Sequence, residues 1–299
     1  MRLALTMAAI AAVCRASEAP RERRFGIDYT VSVDNLPTLA DTVEIWIPVP
    51  HDDAFQSISQ FDITSDYTYK IDTGEYGNRI LHLKLNGALL GGRPAMLTLR
   101  FAVKRREQLV PSNKPENDRS LQHWLTPPDD TIRAAAREVA DAAGAKTGLD
   151  QARALYNHVL TTADSGKGCD SGGGGLPATF INYARALGIP ARFSTGLPIP
   201  RERGQGAITR PACWAEFHIE GMGWIPVDAA AAARDLSRRD RFFGTADEDR
   251  VEFSRGSELI LTPRQRGEPL HYFIYPYVEV DGKPYKQVKS TFRYADLKH

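Results

Sequence analysis

Residues 176–192 read LPATFINYARALGIPAR and residues 213–228 read CWAEFHIEGMGWIPVD. In the first stretch Phe180, Ile181, Ala184 and Leu187 recur at helical spacing and mark one buried stripe. Pro177 suits a first helical turn. Gly188 suits the cap beyond the last turn, with Pro190 two residues further on. In the second stretch Trp214 to Ile219 alternate, Gly221-Met222-Gly223 turn the chain, and Trp224 to Val227 return to end at Asp228. A helix, a tight stop and a strand hairpin are the expectation.

Upstream, Asp129 or Asp130 can cap a helix running to about Ala143 and ended by Gly144. Thr147 and Asp150 form a capping-box-like start with Asp in place of Glu or Gln. Leu149, Ala152, Leu155, Tyr156, Val159 and Leu160 then share a helical face, and His158 on that helix reads as a surface residue. Gly172 to Gly175 are followed by Leu176-Pro177, so neither a P-loop nor a dinucleotide fingerprint is present.

Further out the period changes from helix to strand. Phe25, Ile27, Tyr29, Val31 and Val33 alternate, as do Val43, Ile45, Ile47 and Val49, then Leu81, Leu83 and Leu85, then Leu97, Leu99, Phe101 and Val103. Turn residues separate these runs, which predicts a small β-sandwich over about residues 24–106. Trp46 is expected to pack against the other domain. Residues 107–128 are polar and carry Pro111, Pro115, Pro127 and Pro128, and read as a linker. The remainder, 129–299, reads as the second domain. Within it Glu258 to Leu261 and Tyr272 to Tyr275 are expected as strands, and Asp281-Gly282 as a hairpin turn.

The chain has 299 residues, with 38 Lys plus Arg against 37 Asp plus Glu. That balance argues against a nucleic-acid binder, and no apolar run has the length of a membrane span. No metal or cofactor motif is present. Met1-Arg2 followed by the apolar Leu3 to Val13 predicts a signal peptide over about residues 1–19, hence a periplasmic or secreted protein. Val13 is large for the residue before a lipidated cysteine, which argues against an anchor through Cys14. Once the leader is removed, Cys169 and Cys213 remain, and export leaves a disulfide between them open.

Ala184 to Arg192, Cys213-Trp214-Ala215-Glu216-Phe217 and Gly223 to Asp228 resemble, in order, three signature blocks of transglutaminase-like proteins. Phe242-Phe243-Gly244-Thr245, Asp247 to Val251 and the N-terminal Trp46-Ile47-Pro48-Val49-Pro50 look like the bacterial exported type. The resemblance implies an α+β fold: a papain-like transglutaminase core with an N-terminal β-sandwich. It also implies cysteine–histidine–aspartate chemistry, in which a thiolate at a helix start attacks an amide, histidine moves the proton and the acid orients the ring.

Two of the three positions depart from that pattern. The family nucleophile aligns with Gly173 and the base, two residues before Trp214, with Ala212; the acid remains as Asp228. Without a histidine, Asp228 has the alternative reading of a turn cap or an arginine's partner. Cys169 is the replacement nucleophile to consider, although the resemblance places it in a separate motif ahead of the lost one. His218 shares the face of Ala212, but six residues of strand put it roughly 20 Å away. Cys213 points to the opposite face. The reading is a transglutaminase-like pseudoenzyme that binds a peptide or protein in the former cleft. An active thiol transglutaminase or peptidase using Cys169, and a structural or assembly subunit, are the alternatives.

Overall fold

The computed structural model describes residues 19–109, 119–125, 130–162 and 175–298. The N-terminal strands are β1 (Glu22–Val33), β2 (Thr42–Val49), β3 (Gln56–Ser65), β4 (Lys70–Thr73) and β5 (Arg79–Asn86). A single turn, α1 (Gly87–Leu90), leads to β6 (Ala95–Arg106) and the short β7 (Gln108–Leu109). A 3-10 turn follows over Arg119–Leu125, inside the expected linker. The helices α2 (Asp130–Ala142), α3 (Gly148–Thr162) and α4 (Gly175–Ala186) come next. Then come β8 (Ala191–Pro198), β9 (Gln205–Ile208), β10 (Ala212–Ile219), β11 (Gly223–Val227) and α5 (Ala229–Arg234). The chain closes with β12 (Thr245–Ala246), β13 (Arg250–Arg255), β14 (Tyr277–Val280), β15 (Lys283–Pro284) and β16 (Val288–Asp296).

Two five-stranded sheets, ordered β3-β6-β1-β16-β9 and β15-β14-β2-β5-β4, form the sandwich. Its core joins the inward residues Phe25, Tyr29, Val31, Ile45, Leu83 and Leu99, all at alternating positions. The expected division at residue 129 therefore differs from the sheet membership. β16 pairs with β1 and β14 with β2, while β9 and β15 extend the two sheets beyond them, so that β16 lies between β1 and β9 in the interior of its sheet. The C-terminal strands complete the first sandwich.

A four-stranded antiparallel sheet, β11-β10-β8-β13, carries the helices on one face. Phe180 of α4 meets Phe217 of β10 edge to face at 5.8 Å. Local signals place these elements. Thr147 Oγ1 accepts from the Asp150 N–H while the Asp150 carboxylate accepts from the Thr147 N–H, a reciprocal capping box for α3. Gly188, at φ +78°, ends α4, and the Ile189 N–H reaches back to the Ala184 carbonyl. Asp281 and Gly282 both have positive φ in the turn between β14 and β15.

The expected strands around residues 258–261 and 272–275 reduce to one bridge, Leu259 with Leu270. Gln265 takes over their backbone pairing: it accepts from the Leu261 N–H and donates to the carbonyls of Leu259 and Glu268. This loop wraps Trp46, which is fully buried against Leu259, Leu261 and Phe273 and donates to the Pro263 carbonyl at 2.8 Å. Among the described residues no helix is long and apolar enough to cross a membrane.

Candidate functional site

Ala212 opens β10 and Asp228 follows the last residue of β11. The ladder pairs Ala215 with Val227, so Asp228 falls beside the Trp214 rung, two residues from Ala212. Ala212 is half-buried and pairs with Gly196 of β8. Gly173, expected at the position of the family nucleophile, and Cys169 lie outside the described residues.

Asp228 is 4% exposed, and both carboxylate oxygens are engaged. Oδ1 accepts from the Ala231 N–H at 2.8 Å and caps α5. Oδ2 accepts from Arg250 Nη1 at 3.1 Å. Both structural alternatives read from the sequence, a turn cap and an arginine's partner, are realised together. Arg250 is as buried as the acid, and its Nε donates to Asp247 at 2.9 Å. Its guanidinium lies 4.9 Å from the centre of the Trp214 ring. Burial works against the Arg250 cation, but Asp247 and Asp228 outweigh it and hold the group above its ordinary range. Burial likewise pushes the Asp247 carboxyl up, and Arg250 overrides it, leaving the acid below the usual carboxylate range.

A second acid–arginine–tryptophan set sits further along the same hairpin. Glu216 of β10 accepts from Arg192 Nε at 2.7 Å, and the Arg192 guanidinium stacks 3.9 Å from the centre of the Trp224 ring. Burial pushes the Glu216 carboxyl up, but Arg192 and Arg255 prevail and hold it below its ordinary value. This set borders the seam with the sandwich. There Arg255 pairs with Glu252 and with Asp53 at 2.7 Å, and Gln56 accepts from the Glu252 N–H and from Arg105.

His218 lies near the far end of β10 with its ring 5.4 Å from that of Trp224. Cys213 packs in the core shared with the helices, as its place opposite Ala212 requires, and is disulfide-bonded. The chain's other cysteines, Cys14 and Cys169, lie outside the described residues. His158 is half-buried and stacks on Tyr183 at 5.8 Å. Among the described residues no group of three or more His, Cys, Asp and Glu side chains is placed to hold a metal.

The sequence reading did not single out Arg250. The Asp247–Arg250 spacing is its one local signal, and such spacings are common on surfaces; the 22 residues between Asp228 and Arg250 leave no mark of their pairing. Trp124, from the turn before α2, was also missed. It is buried and meets the Tyr76 ring at 4.3 Å and the Trp224 ring at 6.2 Å.

The profile of the Transglutaminase-like superfamily matches residues 119–229. An uncharacterised protein of Haemophilus influenzae is 23% identical over 300 residues, covering 80% of this chain and 81% of that one. Among solved structures, a candidate cysteine protease from Cytophaga hutchinsonii superposes with a TM-score of 0.60 at 14% identity, over 95% of this chain and 92% of that one. The periplasmic domain of TgpA from Pseudomonas aeruginosa is also similar, at 14% identity over 74% of this chain and 91% of that one, with a TM-score of 0.35. The first superposition shows a shared fold over nearly the whole chain. With the profile falling on the helices, the hairpin and Asp228, residues 119–229 are a transglutaminase-like domain, and its papain-like core is set against a β-sandwich built from both ends of the chain.

Proposed function

We propose that this protein is a pseudoenzyme of the transglutaminase-like superfamily, exported from the cytoplasm, that binds a peptide or protein in the cleft where its relatives do chemistry. The observation that carries the reading is the engagement of Asp228. With one oxygen capping α5 and the other on Arg250, the acid is committed to structure. Ala212 supplies no base and Gly173 no nucleophile. Removing members of a nucleophile–base unit costs on the order of a millionfold in rate, so neither vacancy leaves room for partial catalysis. The disulfide at Cys213 removes that thiol from consideration and supports export, since such bonds persist in oxidising compartments.

Amine incorporation into a glutamine-donor peptide, and cleavage of that peptide, test the loss of catalysis. Wild type is expected to run at background in both. Turnover that vanishes in Cys169→Ala would overturn the reading and make Cys169 the nucleophile. Gly173→Cys combined with Ala212→His is expected to stay at background as well, because Asp228 is held by Arg250 and does not orient a new imidazole. Binding is tested by fluorescence anisotropy with a labelled casein digest. Saturable binding weakened by Ala212→Trp, which fills the cleft, is the expected result; binding indifferent to that change would place the ligand elsewhere.

A further inference from the structure

The outer face of the β3-β6-β1-β16-β9 sheet holds a hollow of about 240 Å3. Its floor is a row of small residues at one register: Ala102 of β6, Gly26 of β1 and Ala295 of β16. Gly26 sits in the central strand of the sheet, where glycine weakens a strand and marks a bulge, a close backbone approach or a ligand. The first two are absent. Register is unbroken on both sides of Gly26, and its φ is not positive. A Cβ built there would meet nothing nearer than the Leu297 side chain at 3.8 Å. A Cβ fits at this position without a clash, and the glycine leaves space above the sheet.

The next row along the strands makes a charged wall: Arg100, Asp28 and Arg293 lie side by side at one register. Arg100 pairs with Asp28 at 3.4 Å, while Arg293 makes no ion pair among the described residues. The wall therefore carries one uncompensated cation. Gln60, at the register shift within β3, and Gln205, at the start of β9, are both exposed and stand at the two ends. A planar guanidinium with free donors, flanked by amides over an apolar floor, matches a carboxylate or phosphate attached to a small organic body. We propose that this hollow binds a small organic anion, whose acidic group pairs with Arg293 and whose body lies over Gly26.

Calorimetric titration of the full chain with citrate, glucose 6-phosphate and glucose tests this. One or both anions should bind, and neutral glucose should not; which anion binds distinguishes carboxylate from phosphate. Arg293→Gln should weaken binding at least about tenfold, as expected for loss of a charge-assisted pair. Gly26→Val, which fills the hollow, should do the same while leaving the unfolding temperature unchanged or raised. No heat with either anion at millimolar concentration, equal binding of glucose, or an affinity unchanged in both variants would each overturn the proposal.

Discussion

Two acid–arginine–tryptophan sets on one strand hairpin differ in place and agree in construction. Glu216 lies at the seam with the sandwich, where a buried carboxylate has only a structural task, and it is held by an arginine stacked on Trp224. Asp228, which the proposed function places at the position of a family acid, is held the same way, by an arginine over the Trp214 ring. The comparison teaches that a buried acid follows its nearest cation. A desolvated carboxylate needs a counter-charge, and Arg250 supplies it at both Asp228 and Asp247.

The largest effect should come from removing those cations. Arg250→Met leaves the buried Asp228 and the half-buried Asp247 without their cation and is expected to cost about 4 kcal/mol in urea unfolding, within the range for a broken buried pair. Arg192→Met strands one acid and should cost less, about 3 kcal/mol by the same reasoning. A smaller cost for Arg250→Met than for Arg192→Met would break the parallel.

The seam should also respond to pH. His51 is 8% exposed, with neither ring nitrogen hydrogen-bonded. Burial first, then the charge on Arg255, pushes its pKa down from 6.5 to about 4. The folded protein refuses a proton that the unfolded chain accepts, so this stabilisation is complete above pH 6.5 and is lost as pH falls toward about 4. The expected loss is about 3 kcal/mol. His51→Phe, which keeps the ring and cannot ionise, should flatten that part of the stability profile; an unchanged slope would place the proton uptake on other groups. The smallest effect concerns the loop over the sandwich. Trp46→Phe keeps most of the packing, removes the bond to the Pro263 carbonyl, and should cost about 1 kcal/mol.

Much of this was legible where the signal is local. The alternation from Phe25 to Val33, the Thr147–Asp150 capping box, Gly188 and the Asp281-Gly282 turn each act within a few residues, and each appears as read. What was not legible depends on distant partners. Phe25 pairs with Asp296 across nearly the whole chain, so the placement of β16 inside the first sandwich leaves no local trace. β9 is four residues with no alternation to announce it. Residues 259–273 carry apolar residues at strand-like spacing, but the Gln265 amide captures their backbone groups. At the site, sequence alone named Ala212 and Asp228 and left the acid's role open between chemistry and structure. The arginine that decides its environment comes from another strand.

That decision is tested most directly by a double-mutant cycle on the Asp228–Arg250 pair, using Asp228→Asn, Arg250→Met and the two combined. Asparagine keeps the oxygen that caps α5, so the cycle isolates the ion pair. If Asp228 is held as a structural acid, its coupling to Arg250 should be about 2 kcal/mol, well beyond the scatter of independent sites. A coupling near zero would mean that the carboxylate is not committed to Arg250, and the reading of Asp228 as a structural acid, on which the proposed function rests, would be contradicted.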